Sequence, residues 1–108
     1  MIMTSHGSYE KHEELKRQLV LNPTMLGLED IVYCREEVPY KAGKKSGQVD
    51  IIFWDSHGMP YLVELTTSTT DKAKRRVRKQ IKRAKTYFKH AMGISVILDE
   101  DELHLEWI

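Results

Sequence analysis

The chain has 108 residues, which suits one domain around one modest core. Hydrophobic residues make up 41% and charged residues 31%, as in a soluble globular protein, and no apolar run reaches the roughly 20 residues a membrane helix needs. The net charge of +1 hides an asymmetry: residues 71–92 hold ten Lys or Arg and one Asp (+9), while the rest holds seven basic and fifteen acidic residues (−8). A basic face of this kind fits a polyanionic partner better than a plain solvated surface, because the acids that would alternate with its bases are almost absent.

In chain order, the first few residues are expected to be frayed, and Met1–Gly7 lacks the charged-then-apolar layout of a signal peptide. Ser8 fits a helix N-cap, with Glu10, Glu13 and Glu14 suiting the positive end of the helix dipole. Leu15, Leu19 and Val20 give an apolar stripe, and Asn22-Pro23 ends the helix. Met25, Leu26 and Leu28 are expected to form a packed turn over the core. A first strand starts at Ile31-Val32-Tyr33-Cys34 and runs towards Val38 and Tyr40. The lone Cys34 excludes an internal disulfide and reads as a small buried hydrophobe, which suits a reducing, cytoplasmic compartment.

Residues 41–47, Lys-Ala-Gly-Lys-Lys-Ser-Gly, read as a flexible basic loop suited to lie beside a phosphate backbone. Two short, β-branched and aromatic-rich strands follow, Gly47–Phe53 and Tyr61–Thr66, with a turn at Ser56-His57-Gly58. Thr70 or Ser68 is placed to cap the next helix. Val77, Ile81, Ala84, Phe88 and Ala91 recur at helical spacing and predict one long amphipathic helix over 71–92, stopped by Gly93. A strand at Ile94–Leu98, an acidic turn and a last alternating strand complete the chain. A crossover helix of that length places the fourth strand parallel to an earlier one.

The chemistry centres on Asp50 and Glu64, one on each of the two middle strands. An unpaired carboxylate in a strand core is costly, so two on neighbouring strands point to a metal site or a hydrogen-bonded polar pocket. Hard cations such as Mg²⁺ take oxygen ligands, often only one or two carboxylates, with water and phosphate completing the shell. His6, His12, His57, His90 and His104 show no metal-ligand spacing and read as loop or surface imidazoles. Trp54 and Trp107 read as core or interface aromatics.

Several stretches together resemble the PD-(D/E)XK nuclease superfamily, nearest to archaeal-type mismatch endonuclease domains and related small archaeal or viral nuclease-like proteins. They are His12-Glu13-Glu14-Leu15, Asn22-Pro23, Arg35-Glu36, Gly47-Gln48-Val49-Asp50, Val63-Glu64-Leu65, and Gln80 with Tyr87. The resemblance covers roughly residues 12–88. It implies one α/β domain over 1–108 with an αβββαβ restriction-endonuclease-like core, a mixed sheet flanked by two helices. It further implies a metal-dependent DNA endonuclease using Mg²⁺ or Mn²⁺, with Asp50 and Glu64 as metal ligands. Glu13 is the implied helix-borne acid, with Glu14 the alternative, and Gln80 and Tyr87 are implied supports on one helix face.

Thr66 stands where the family usually has a lysine, and it carries no charge. Lys72, Arg76 and Lys79 are the candidates for a replacement cation, Lys72 first because it opens the helix. The expected DNA contacts are Lys44 and Lys45 in the loop, and Lys72, Lys74, Arg75, Arg76, Arg78, Lys79, Lys82, Arg83 and Tyr87 on the helix. The DNA could be branched or mismatched, and cutting both strands of a duplex would call for a homodimer. The rival expectations are a non-catalytic nucleic-acid-binding or assembly module on the same fold, and an interaction subunit whose basic helix meets an acidic partner.

Overall fold

The computed structural model describes residues 8–108. Fraying of the first residues and the environment of His6 lie outside the described residues, as does the side chain of Ser8, so the expected N-cap is not described. Helix α1 (Ser8–Leu21) leads through a 3-10 turn (Pro23–Leu26) into β1 (Ile31–Ala42), β2 (Lys45–Asp55) and β3 (Pro60–Thr66). Helix α2 (Asp71–Tyr87) follows, then β4 (Met92–Asp99) and β5 (Glu102–Trp107). The strands lie side by side in chain order. The β3–β4 pair, bridged by α2, is parallel, and the other three neighbouring pairs are antiparallel. This is an α/β fold with a five-stranded mixed sheet and two helices, compatible with a restriction-endonuclease-like core.

The helices take opposite faces of the sheet. Leu15 and Leu19 of α1, with Leu26 and Leu28 after it, bury against Ile51, Phe53, Val63, Leu65, Ile94 and Val96. On the other side Ala84 joins Val38, Tyr40, Val49, Ile52 and Leu62, and α2 also buries Ala73, Val77 and Ile81. Full burial of each large aliphatic side chain is worth about 1.5–3 kcal/mol. Met25 departs from expectation: it remains 40% exposed while its neighbour Leu26 takes the buried position. Thr70 caps α2, its Oγ1 accepting from Ala73 N–H at 3.1 Å, and Ser68 Oγ lies 3.2 Å from the same atom.

Two further expectations are corrected. Residues 41–47 form no flexible loop: β1 and β2 continue to Ala42 and Lys45, leaving a two-residue turn at Gly43-Lys44. The positive φ of 67° falls on Gly43, as a II′-type hairpin turn requires. Helix α2 ends at Tyr87, well short of residue 92. Phe88 leaves helical geometry (φ −92°, ψ 84°) and packs its ring against Tyr40 and Tyr87. Gly93 lies within β4, where a Cβ would come 2.4 Å from Ile81 Cγ2. It permits close approach of strand and helix; it does not stop the helix.

Phe88 is only half-buried. Phe88→Ala is therefore expected to destabilise the fold by about 1–3 kcal/mol, below the 3–5 kcal/mol of a fully buried ring. Urea unfolding checks this, and a loss of 4 kcal/mol or more would mean that the ring is a core element.

Candidate active site

β2 and β3 pair from Trp54↔Pro60 to Ile51↔Val63. Beyond that point the two acids take over the hydrogen bonding. Asp50 N–H donates to Glu64 Oε2 at 2.8 Å, and Leu65 N–H donates to Asp50 Oδ2 at 2.8 Å. Each carboxylate thus satisfies a backbone donor on the opposite strand. A carboxylate accepting a backbone N–H is normally favoured in its charged form. Glu64 is nevertheless pushed up to about 8, first by burial and then by the negative charge of Asp50, against the Asp50 N–H, His12 and Arg76.

Helix α1 supplies the facing wall. His12 Nε2 lies 3.4 Å from Asp50 Oδ2, and its Nδ1 lies 3.4 Å from Glu13 Oε2. The hydrogen bond to Asp50 is the largest influence on His12, and the net direction of its pKa is up despite burial. Lys16 is 2% exposed and bonds both Glu13 (Oε1, 3.1 Å) and Glu37. Burial lowers its pKa, but the two acids outweigh burial and the net direction is again up. Glu37 takes a positive φ of 51° in β1, between the register pairs Glu36↔Ile51 and Val38↔Val49 and so opposite Asp50. A non-glycine residue in that region carries strain of order 1 kcal/mol, and here its carboxylate meets Lys16.

These groups line an open cleft of about 710 Å³, together with Tyr9, Gln48, Leu65–Ser68, Arg76 and Gln80. Thr66 is buried, and its Oγ1 accepts from Ser68 N–H at 3.0 Å, shaping the connection into α2. Its hydroxyl thus has a structural task at the position where a lysine is usual in the resembled family.

Of the site residues read from sequence, Glu13, Asp50, Glu64, Thr66, Arg76 and Gln80 meet in this cleft. Glu14 does not; it pairs with Arg17 at 2.7 Å and accepts from Gln18. Lys72 is also outside the cleft. It lines a neighbouring groove of about 320 Å³ with Arg75, Arg76, Lys79, Gln80 and Arg83. Arg78 faces β5 and makes a two-pronged ion pair with Glu106, both contacts at 2.8 Å, so an acid distant in sequence supplies the partner its own helix lacks. Lys44, Lys45, Lys74 and Lys82 line neither the cleft nor the groove. Tyr87 is 53% exposed and packs beside Tyr40 and Phe88 outside the cleft.

Sequence reasoning missed His12, Lys16 and Glu37. His12 adjoins Glu13 in a quoted motif, which was an available signal. Lys16 is three residues from Glu13, a spacing that permits a helix ion pair, but nothing local marks it as buried. Cys34 is half-buried rather than buried, and desolvation raises its thiol pKa, which keeps it neutral.

No family model matches the chain, and no curated protein matches it in sequence. Solved structures do share its fold. The crystal structure of SSO0001 is 21% identical with a TM-score of 0.63, over 94% of this chain and 49% of that one. A repair endonuclease from Pyrococcus abyssi is 19% identical with a TM-score of 0.51, over 89% of this chain and 40% of that one. The EndoMS–dsDNA2 complex is 19% identical with a TM-score of 0.48, over 88% of this chain and 37% of that one. The chain therefore shares its fold with SSO0001 and with that repair endonuclease. The chain spans about half or less of the length of each of these structures.

Proposed function

We propose that this chain is a metal-dependent DNA endonuclease of the PD-(D/E)XK kind, hydrolysing phosphodiester bonds with Mg²⁺ or Mn²⁺. The observation that carries this reading is the convergence of Asp50 and Glu64 in one open cleft that adjoins a groove of basic side chains. The donor set fits a hard divalent cation. Both acids are oxygen donors, and among the described hydrogen bonds Asp50 Oδ1 and Glu64 Oε1 take none. Among the described residues no three His, Cys, Asp or Glu side chains form a ready-made cage, so water and phosphate would complete the shell. A cation held by Asp50 and Glu64 would supply charge stabilisation at phosphorus and a more acidic bound water.

The protein's own groups have separable tasks in this reading. Asp50 and Glu64 are oriented by the backbone of the opposite strand, so their carboxylates are fixed before substrate arrives. Lys16 fixes Glu13, which faces the same space from α1 and holds a water or His12 in place. The basic side chains of α2 hold phosphates. DNA is the proposed partner, a homodimer the proposed state for duplex cutting, and the cytoplasm the proposed location. Among the described residues no helix is long and apolar enough to cross a membrane.

Thr66 supports a second reading, a nucleic-acid-binding or assembly module without turnover, because its hydroxyl is engaged and uncharged. One experiment separates the two. Single strands, duplexes, mismatches and branched junctions are incubated with Mg²⁺, Mn²⁺ or a chelator, and binding is followed in parallel. The nuclease reading expects cutting that the chelator abolishes. Salt-sensitive binding with no cutting of any substrate would leave the module. Light scattering with and without DNA tests the dimer, and a monomer in both would end that part.

A further inference from the structure

We infer that Arg76 grips the phosphate beside Asp50 and Glu64, and that the groove along α2 carries the neighbouring phosphates of the same strand away from the cleft. This rests on the DNA-cleaving reading and specifies its substrate path. Arg76 and Gln80 are the two side chains that line both the carboxylate cleft and the basic groove. The two spaces are therefore adjoining parts of one surface, and Arg76 stands at the junction.

The other cations near the carboxylates are committed. Lys16 is buried and bonded to Glu13 and Glu37. His12 lies between Asp50 and Glu13. Lys72, the first sequence candidate, lines the groove but not the cleft. Arg76 is exposed and, among the described residues, has no salt-bridge partner, yet its charge acts on Glu64. Its planar fork can meet two oxygens of one phosphate, which a lysine ammonium matches less well. It thus brings to the cleft that Thr66 also lines a charge that Thr66 cannot supply.

The path follows from helix geometry. Lys72, Arg76, Lys79 and Arg83 recur at steps of four, three and four, which keeps them on one face. At 1.5 Å per residue they span about 16 Å. That length exceeds the spacing of successive phosphates along one strand, so the row can face more than one of them. Arg78, one position off this face, is instead held by Glu106, which separates the groove from β5.

The test uses duplexes in which one phosphate at a time is replaced by a neutral methylphosphonate. Wild type, Arg76→Ala, Arg76→Lys and Arg83→Ala are compared with Lys89→Ala, which removes an exposed charge outside the groove. Binding is measured without metal and cleavage with Mg²⁺. Neutralising the phosphate at the cut position should weaken wild-type binding about tenfold and leave Arg76→Ala unaffected, so the two losses do not add. Arg83→Ala should show that non-additivity with a different phosphate, to one side of the cut position. Arg76→Ala should lower kcat at least 100-fold, with Arg76→Lys recovering only part, and Lys89→Ala should match wild type. Losses that add at every phosphate, or an unchanged kcat in Arg76→Ala beside an active wild type, would overturn the inference alone. A wild type that neither binds nor cuts DNA would overturn the functional reading and this inference with it. Because Arg76 is exposed, its variants should melt with wild type.

Discussion

Glu64→Gln is expected to abolish cleavage and, in the metal-free protein, to raise stability at pH 8. The two effects have one origin. Burial first, and the charge of Asp50 second, push the Glu64 pKa up from an ordinary 4.5 to about 8. Below pH 4.5 both folded and unfolded chains hold the proton, and Glu64 costs nothing. Between pH 4.5 and 8 the unfolded chain has released it and the folded chain has not, so stability falls as pH rises and levels off beyond 8. At ~1.4 kcal/mol per unit, the loss reaches at most ~5 kcal/mol. Glutamine has the same shape and keeps an oxygen to accept from Asp50 N–H, but never ionises. Urea midpoints of wild type and Glu64→Gln should coincide near pH 4.5 and diverge towards pH 8. Mg²⁺ should raise the midpoint of wild type alone, because a cation bound to the folded state stabilises it by mass action. Cleavage by the variant should fall about 1,000-fold or more, as for removal of charge used in the transition state. A variant less stable than wild type at pH 8 would mean that the Glu64 charge is compensated without metal.

The fold was legible where one local signal had one structural meaning. Val77, Ile81 and Ala84 lie at helical spacing and are buried on α2. Asn22-Pro23 ends α1 because proline admits little else. The parallel β3–β4 pair follows from the crossover helix between them. Strand composition and the acidic motifs put Asp50 and Glu64 on neighbouring strands, and the structure places both in one cleft. Their hydrogen bonds to the opposite backbone were not legible, since these depend on where β2 and β3 part.

The remaining site residues depended on distant partners. Lys16 and Glu37 are 21 residues apart and meet only when α1 lies against the sheet. Lys72 and Arg76 are one turn apart on the same helix and look alike in sequence, yet only Arg76 reaches the cleft. One turn decides this because the end of β3, carrying Glu64 and Thr66, fixes which part of α2 borders the carboxylates. Gly93 is the clearest ambiguity. A glycine after an amphipathic run signals a helix stop, but the same residue permits close packing of backbone against a neighbour. Only the position of Ile81 distinguishes the two.

That packing should be felt directly in the stability of the fold. Gly93→Ala introduces a methyl 2.4 Å from Ile81 Cγ2 and 3.4 Å from the Ile108 carbonyl oxygen. Ile81 is fully buried, and a β-branched side chain in a helix is held in one rotamer, so it cannot swing aside. Overpacking of this kind costs about 1–3 kcal/mol. Ile81→Ala alone should cost about 2–5 kcal/mol by leaving a cavity. In the double variant the new methyl enters the space the isoleucine vacates, so the combined loss should fall short of the sum by about 1–3 kcal/mol. Urea unfolding of the four proteins completes the cycle, and strictly additive losses would show that the two residues do not meet. The site should register the same strain. Leu62↔Gly93 and Glu64↔Ser95 lie two rungs apart on the β3–β4 ladder, with Val63↔Ile94 between them. Displacing β4 at Gly93 therefore tilts the strand that holds Glu64 against Asp50. Gly93→Ala should lose cleavage at temperatures where it is still folded, and Ile81→Ala in the same chain should restore part of it.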